Sequence, residues 1–285
     1  MNKYGLIMEG GAMRGLFTAG VMDVLMENEI HFDGAIGVSA GAAFGCNIKS
    51  NQIGRVLRYN KKYCKDPRFC SIRSLIKTGD LYGAEFCYIT IPYELDLFDC
   101  KSYLENPMEF YVVCTDVETG KPLYRKCITG RDEDLTWIRA SASMPIASKV
   151  VEADGVKLLD GGISDSIPLS YFESIGYNKN VIILTQPKGY IKKPTKALPF
   201  IKVSLKEYPN VYKTMQNRHN DYNDTIKKIE EAEKNGDALV IRPPEKLPVG
   251  RVEHNPDKLQ LAYDIGRETA LKQLEEIKEF VNNGT

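Results

Sequence analysis

Twice within its first fifty residues the chain passes from a short apolar stretch through a glycine-bearing turn into a segment of helical apolar spacing. Residues 4–8 form the first such stretch and read as a buried strand. They enter Glu9-Gly10-Gly11-Ala12-Met13-Arg14-Gly15, and residues 16–26 follow with apolar side chains at helical intervals. The second stretch, residues 32–38, ends at Ser39, after which the small residues 40–46 begin a tightly packed helix. Strand, turn and helix repeated in this order is the grammar of an α/β fold with parallel strands.

Further along, residues 110–114, 181–184 and 238–241 read as buried strands, and residues 157–159 as a short one leading into Asp160-Gly161-Gly162. Residues 189–212 carry Pro194, Pro199 and Pro209 and read as a loop or broken-helix insertion. Residues 222–234 read as a charged helix stopped by Asn235-Gly236. Asn255-Pro256 opens the last helix as cap and first turn. Its apolar positions Leu261, Ile265, Leu271, Leu274, Ile277, Phe280 and Val281 fit one stripe against a core.

A chain of 285 residues has room for one large domain, or one domain with an appended subdomain. Thirty-eight basic side chains balance 38 acidic ones, so no global field calls for nucleic acid. Locally the charge is uneven: residues 55–77 hold eight Lys/Arg against Asp66, and residues 188–213 hold seven Lys against Glu207. Both stretches interleave cations with apolar side chains such as Tyr59, Phe69, Ile76, Phe200 and Tyr212. That mixture suits peripheral contact with an anionic membrane, and it also suits a solvated basic face beside core-packed aromatics. Glu9 interrupts the N-terminal apolar run too early for a signal peptide, and the longest uncharged stretch, residues 34–48, is too short to span a bilayer. Seven cysteines without a CxxC pair, and only three histidines, favour reduced thiols in a cytoplasmic protein over disulfides or structural zinc.

Gly37-Val38-Ser39-Ala40-Gly41 is a G-x-S-x-G between an expected strand and an expected helix. A serine on so sharp a turn lifts its Oγ clear of the sheet, and the glycines relieve the crowding around it. The bland alternative is a glycine-rich packing turn. The earlier turn, Gly10 to Gly15, lacks both the Gly-Lys-Ser/Thr and the G-x-G-x-x-G spacing of nucleotide loops. Its backbone N–H groups at Gly10, Gly11 and Ala12 suit an oxyanion hole instead, with Arg14 to brace the turn or hold a substrate phosphate. For the base, Ser39, Asp160 and either His219 or His254 stand in the chain order of a triad. Both histidines lie in polar surroundings, however. Asp160, at an expected strand end like Ser39, can accept the proton itself if burial raises its pKa.

A glycine-rich turn with an arginine, a G-x-S-x-G close behind and a later Asp-Gly-Gly resemble the patatin-like phospholipases from Tyr4 to about Leu184. Residues 139–145, Arg-Ala-Ser-Ala-Ser-Met-Pro, are similar to the family's stretch between its catalytic elements. The C-terminal third, with Arg218-His219, Tyr222-Asn223 and Arg242-Pro243-Pro244, is similar to a bacterial subgroup with a C-terminal extension. The resemblance implies a three-layer α/β/α fold with a mostly parallel central sheet. It also implies a catalytic domain over residues 1–186 and an extension over 187–285 packed on it, with a basic Pro-rich insertion at 188–213. It implies a serine lipid acyl hydrolase with Ser39 as nucleophile, Asp160 as base, and Gly10, Gly11, Ala12 and Arg14 at the oxyanion hole. Gly15, Gly37, Gly41, Gly161 and Gly162 are the motif glycines. The substrate would be a lipid ester, with neither metal nor cofactor; the oligomeric state is left open. Acyl transfer by the same dyad, and a catalytically weak lipid- or partner-binding role, are the alternatives. Two positions depart from the family pattern: Ala12 replaces a third glycine, and Asp165-Ser166-Ile167-Pro168 stands where Asn-x-Pro is common.

Overall fold

The computed structural model describes residues 3–282. Its strands are β1 (Tyr4–Met8), β2 (Gly34–Val38), β3 (Glu109–Asp116), β4 (Pro122–Cys127), β5 (Val151–Ala153), β6 (Val156–Asp160), β7 (Lys179–Ile183) and β8 (Ala238–Ile241). Together they form one sheet in the order β5-β6-β3-β2-β1-β7-β8, with β4 paired to β3. The pairings of β1 with β2 and β7, of β2 with β3 and of β7 with β8 are parallel. Those of β3 with β4 and β6, and of β5 with β6, are antiparallel. The helices are α1 (Gly15–Glu27), α2 (Ala40–Lys49), α3 (Arg55–Tyr63), α4 (Ile72–Thr78), α5 (Cys100–Glu105), α6 (Asp132–Ser141), α7 (Leu169–Ser174), α8 (Leu198–Ser204), α9 (Pro209–Lys234), α10 (Pro256–Lys272) and α11 (Leu274–Asn282). A wider π-helical segment, Phe86–Leu95, lies between α4 and α5.

The three layers follow from the period-two alternation of strand side chains. Leu6, Met8, Val112 and Ile183 face one core, with side chains of α1, α2, α3, α6 and α10. Ile7, Ile36, Val113 and Ile182 face the other, against Phe172 of α7 and Tyr222 and Ile229 of α9. β1 lies between two parallel neighbours, and Leu6, Ile7 and Met8 are fully buried, so the strand reads as a continuous apolar run. The expected α/β/α architecture with its mostly parallel sheet is the one observed.

Several elements differ from the sequence expectations. Pro199 and Pro209 sit in the first turns of α8 and α9, where a missing N–H costs nothing, so they begin helices rather than break them. α9 consequently starts at Pro209 and not near Tyr222. The last helix is interrupted at Gln273 into α10 and α11. Leu261 and Leu271 lie on the exposed side of α10, whose buried face is instead Leu259, Ala262, Tyr263, Gly266 and Ala270. Small residues face inward because α10 crosses α1 closely: a Cβ at Gly266 would overlap the Phe17 carbonyl oxygen, and one at Gly20 the Tyr263 carbonyl oxygen. β4 and β5 have no strong sequence signal, being half-exposed and three residues long respectively.

All seven cysteines are free. No helix among the described residues is long and apolar enough to cross a membrane. Replacing Gly266 by Val is expected to push α10 off α1 and cost about 1–3 kcal/mol, as overpacking does. Thermal denaturation followed by circular dichroism measures this, and an unchanged Tm would contradict the close crossing.

Candidate active site

Ser39 stands between the last residue of β2 and the first of α2, with φ 56° and ψ −121°. That conformation is unfavourable for a side-chain-bearing residue, costing about 1–3 kcal/mol, and it persists only where the surroundings enforce it. Here they do. A Cβ at Gly37 would overlap the Gly41 carbonyl, and one at Gly41 the Met8 carbonyl, so only glycine fits on either side of the turn. The Ser39 N–H donates to Ser141 Oγ of α6 at 3.0 Å.

The glycine-rich turn after β1 lies directly against this serine: a Cβ at Gly10 would stand 2.8 Å from Ser39 Cβ. Gly10 and Gly11 lie outside the helices and strands, and their N–H groups have no acceptor among the described residues. Ala12 adopts φ 50°, the left-handed region that a glycine would enter freely. Arg14 ends this turn, its Nε buried without an acceptor. Beneath the turn, Glu9 is almost fully buried and accepts from Tyr222 Oη (2.9 Å), Thr185 N–H (2.6 Å) and Thr185 Oγ1 (3.1 Å).

Sheet register brings Asp160 to the serine. β2 pairs with β3 from Glu109 to Val113 and stops, Val38 facing Val113. β4 occupies the opposite edge of β3 from Phe110 to Thr115. β6 therefore continues on the edge that β2 has vacated, running the other way, with Asp160 facing Cys114. The C-terminal ends of β2 and β6 thus abut beside Val113 and Cys114, and the residues that end them are Val38, next to Ser39, and Asp160.

The Asp160 backbone is held on both sides: its N–H donates to the Ser143 carbonyl at 2.9 Å, and its carbonyl accepts from Thr115 Oγ1 at 2.8 Å. Oδ1 accepts from the Gly162 N–H at 2.7 Å, while Oδ2 is buried and accepts no well-formed hydrogen bond among the described residues. Burial pushes this carboxyl up to about 6, against the opposing pull of the Ser39 hydroxyl, the Gly162 N–H, Arg218 and Lys192.

Nδ1 of His254 is 2.5 Å from the Cys64 carbonyl, and Nδ1 of His219 is buried without a partner. Neither hydrogen-bonds to Ser39 or Asp160 among the described residues. Of the two basic stretches, Tyr59, Tyr63, Phe69 and Ile201 are buried in cores, whereas Ile76 and Phe200 are exposed. Lys192 of the second stretch turns toward the site rather than outward. Arg218, whose Nε donates to the Gly162 carbonyl, also belongs to the site, although its sequence surroundings assign it no role there. The available signal is its spacing from Tyr222, one helical turn on the same face of α9.

On its other side Ser39 opens on a cavity of about 130 Å³ lined by Phe44, Tyr59, Phe69, Tyr88, Ile91 and Ile138. A serine on a strained strand-to-helix turn, between an apolar cavity and unpartnered backbone N–H groups, has the layout of an acyl hydrolase. The chain belongs to the patatin-like phospholipase family, a family of lipid acyl hydrolases, which its residues 6–173 match. Residues 208–282 match a domain of unknown function (DUF6363). Among curated proteins it is similar to the uncharacterized protein YjjU of Escherichia coli (strain K12), 30% identical over 189 residues. That match covers 65% of this chain and 52% of the relative, so the chain spans about half the relative's length. Among solved structures it is similar to VipD from Legionella pneumophila, 12% identical with a TM-score of 0.49, over 97% of this chain and 67% of that one.

The left-handed backbone at Ala12 is open to a direct check. Ala12→Gly removes a penalty of about 1 kcal/mol and is expected to raise Tm by about 2 °C; a lower Tm in a thermal melt would contradict it. Asp160→Asn removes a carboxylate whose folded pKa lies above its unfolded value. The cost of ionising it in the fold, about 3 kcal/mol for two pKa units, is fully present well above pH 6 and absent below the unfolded value. The variant should therefore melt higher than wild type at pH 8 and lose that gain by pH 4. A constant difference across that range would contradict the burial account.

Proposed function

We propose that the protein is a serine lipid-acyl hydrolase that cleaves carboxylic esters through a Ser39–Asp160 dyad. The observation that carries this reading is the buried Oδ2 of Asp160, without a well-formed hydrogen bond among the described residues, at the strand end that abuts Ser39. With its pKa raised to about 6, this carboxylate is ionised at neutral pH and more basic than an exposed aspartate. Ser39 Oγ attacks the ester carbonyl carbon as Asp160 takes its proton. The negative charge on the tetrahedral oxygen rests on N–H groups of Gly10, Gly11 and Ala12, each such donor worth about 3 kcal/mol. The carbon–oxygen bond to the leaving alcohol then breaks, and Asp160 returns the proton to that alcohol. Water, deprotonated by Asp160, hydrolyses the acyl-serine and regenerates the hydroxyl. Arg14 closes the oxyanion turn; Gly37, Gly41 and Gly161 permit close backbone approaches, Gly15 makes room for the Phe44 ring, and Gly162 lies beside Asp160 and Arg218. Residues 1–186 act as the catalytic domain, and the extension at 187–285 packs on it and contributes Lys192 and Arg218.

The cavity beside Ser39 suits the acyl chain. At about 130 Å³ it is near the size of an apolar cavity that holds benzene, so it takes about six carbons. Each buried methylene contributes about 0.8 kcal/mol. For p-nitrophenyl esters, kcat/KM is expected to rise about fourfold per methylene up to roughly the hexanoate and then to level; a flat profile from acetate onward would contradict the assignment.

With p-nitrophenyl hexanoate, Ser39→Ala and Asp160→Asn are expected to abolish hydrolysis, and His219→Ala and His254→Ala to retain it. Activity should fall as pH drops through about 6, where Asp160 takes up its proton. An inactive, folded histidine variant would replace the dyad with a triad.

A further inference from the structure

Several cations gather beside Ser39 and Asp160 and outnumber the carboxylates there. α9 supplies Arg218, whose Nε donates to the Gly162 carbonyl, two residues beyond Asp160. Its remaining nitrogens have no protein acceptor among the described residues. Lys192 is held against the same helix at two levels. Asn223 clamps its backbone, accepting from the Lys192 N–H at 2.9 Å and donating to the Lys192 carbonyl at 3.0 Å. Its Nζ lies 3.8 Å from the centre of the Tyr222 ring. Arg14 closes the oxyanion turn with its Nε buried and unpartnered, and the exposed Arg251 stands near enough to act on both Lys192 and Arg218.

None of these four forms an ion pair among the described residues. Two carboxylates pull on these cations: Glu9, both of whose oxygens already accept hydrogen bonds from Tyr222 and Thr185, and Asp160, whose Oδ1 accepts from the Gly162 N–H. Burial, followed by the repulsion of Arg218, Arg14 and Arg251, pushes Lys192 down to about 7. Like charges held together in this way destabilise the empty site and are relieved by an anion seated among them. None of the four lines the apolar cavity, so the serine lies between an apolar recess and a cationic one.

We propose that Arg14, Lys192 and Arg218 form a phosphate-binding subsite beside Ser39, built largely by the C-terminal segment, which grips a phosphate on the leaving alcohol of the substrate. This rests on the reading of Ser39 as the nucleophile with the acyl chain in the apolar cavity. The excess of positive charge favours a dianionic phosphomonoester head over a zwitterionic diester. The segment that matches a domain of unknown function thereby selects the alcohol half of the ester, while the N-terminal part carries the dyad.

The test uses water-soluble lipids, so that membrane adsorption plays no part. Ser39→Ala protein is titrated by calorimetry with dibutyryl phosphatidate, neutral dibutyrylglycerol and inorganic phosphate. The phosphatidate is expected to bind at least tenfold more tightly than dibutyrylglycerol. Lys192→Gln on the same background should lose that preference, Lys192→Arg should keep it, and Lys196→Gln, exposed on the same loop, should leave it unchanged. In the protein with Ser39 intact, the preference should appear in KM for the two esters. Equal binding of the two lipids, or a preference that survives in both Lys192→Gln and Arg218→Lys, would overturn the subsite. Inorganic phosphate binding as tightly as phosphatidate, without any kinetic preference between the esters, would replace the headgroup role with a free-anion site. No hydrolysis of either ester, with the binding preference intact, would overturn the hydrolase reading and leave the subsite standing.

Discussion

The abutment of two strand ends against a third strand is the constraint on which the rest of the site depends. β3 is longer than β2, and β6 takes over the edge of β3 where β2 stops. That handover brings a carboxylate and a serine together across a separation of more than a hundred residues, using backbone hydrogen bonds alone. A dyad without an imidazole has no third group to correct a misplaced base, so the base must be positioned by the fold itself. The bonds from Thr115 and to Ser143 hold the Asp160 backbone in place, and Gly162 engages one carboxylate oxygen. The other oxygen accepts no well-formed hydrogen bond among the described residues. In this arrangement stability is given up for reactivity: strain at Ser39 and desolvation at Asp160 both oppose folding, and both are needed by the proposed chemistry.

The C-terminal segment is part of the same structure. β8 extends the sheet beside β7, α10 crosses α1 at paired glycines, and α9 reaches both halves of the site. On α9, Arg218 braces the turn after Asp160 and Tyr222 supports Glu9 beneath the oxyanion turn. A change on this helix is therefore felt beside both Ser39 and Asp160, although those two residues lie within the part of the chain that matches the patatin-like family.

What is legible in the sequence is local. The apolar runs at β1 and β8, the elbow around Ser39 and the turn after Asp160 each carry their own signal within a few residues, and the structure has these elements. The long-range partners carry none. Glu9 meets Tyr222 across 213 residues, and Arg218 meets Gly162 across 56, and no periodicity or motif announces either pairing. Pro199 and Pro209 mislead because proline is equally at home in a loop and in the first turn of a helix. α10 misleads because Leu261 and Leu271 fall on its exposed side, whereas close helix crossing places Ala262, Gly266 and Ala270 beside Leu259 and Tyr263 on the buried face. Lys192 is hidden among six other lysines between residues 188 and 213, and only the clamp from Asn223 distinguishes it.

The central claim is that a buried aspartate activates Ser39 directly. A fluorophosphonate probe that reacts covalently with activated serines tests it, with the site of attachment mapped by mass spectrometry and the labelling rate followed from pH 4 to pH 9. A single adduct on Ser39 is expected, formed at a rate that falls as pH drops through about 6 and that is lost in Asp160→Asn. Absence of labelling in the wild-type protein, or labelling of Ser39 at an undiminished rate in Asp160→Asn, would contradict it.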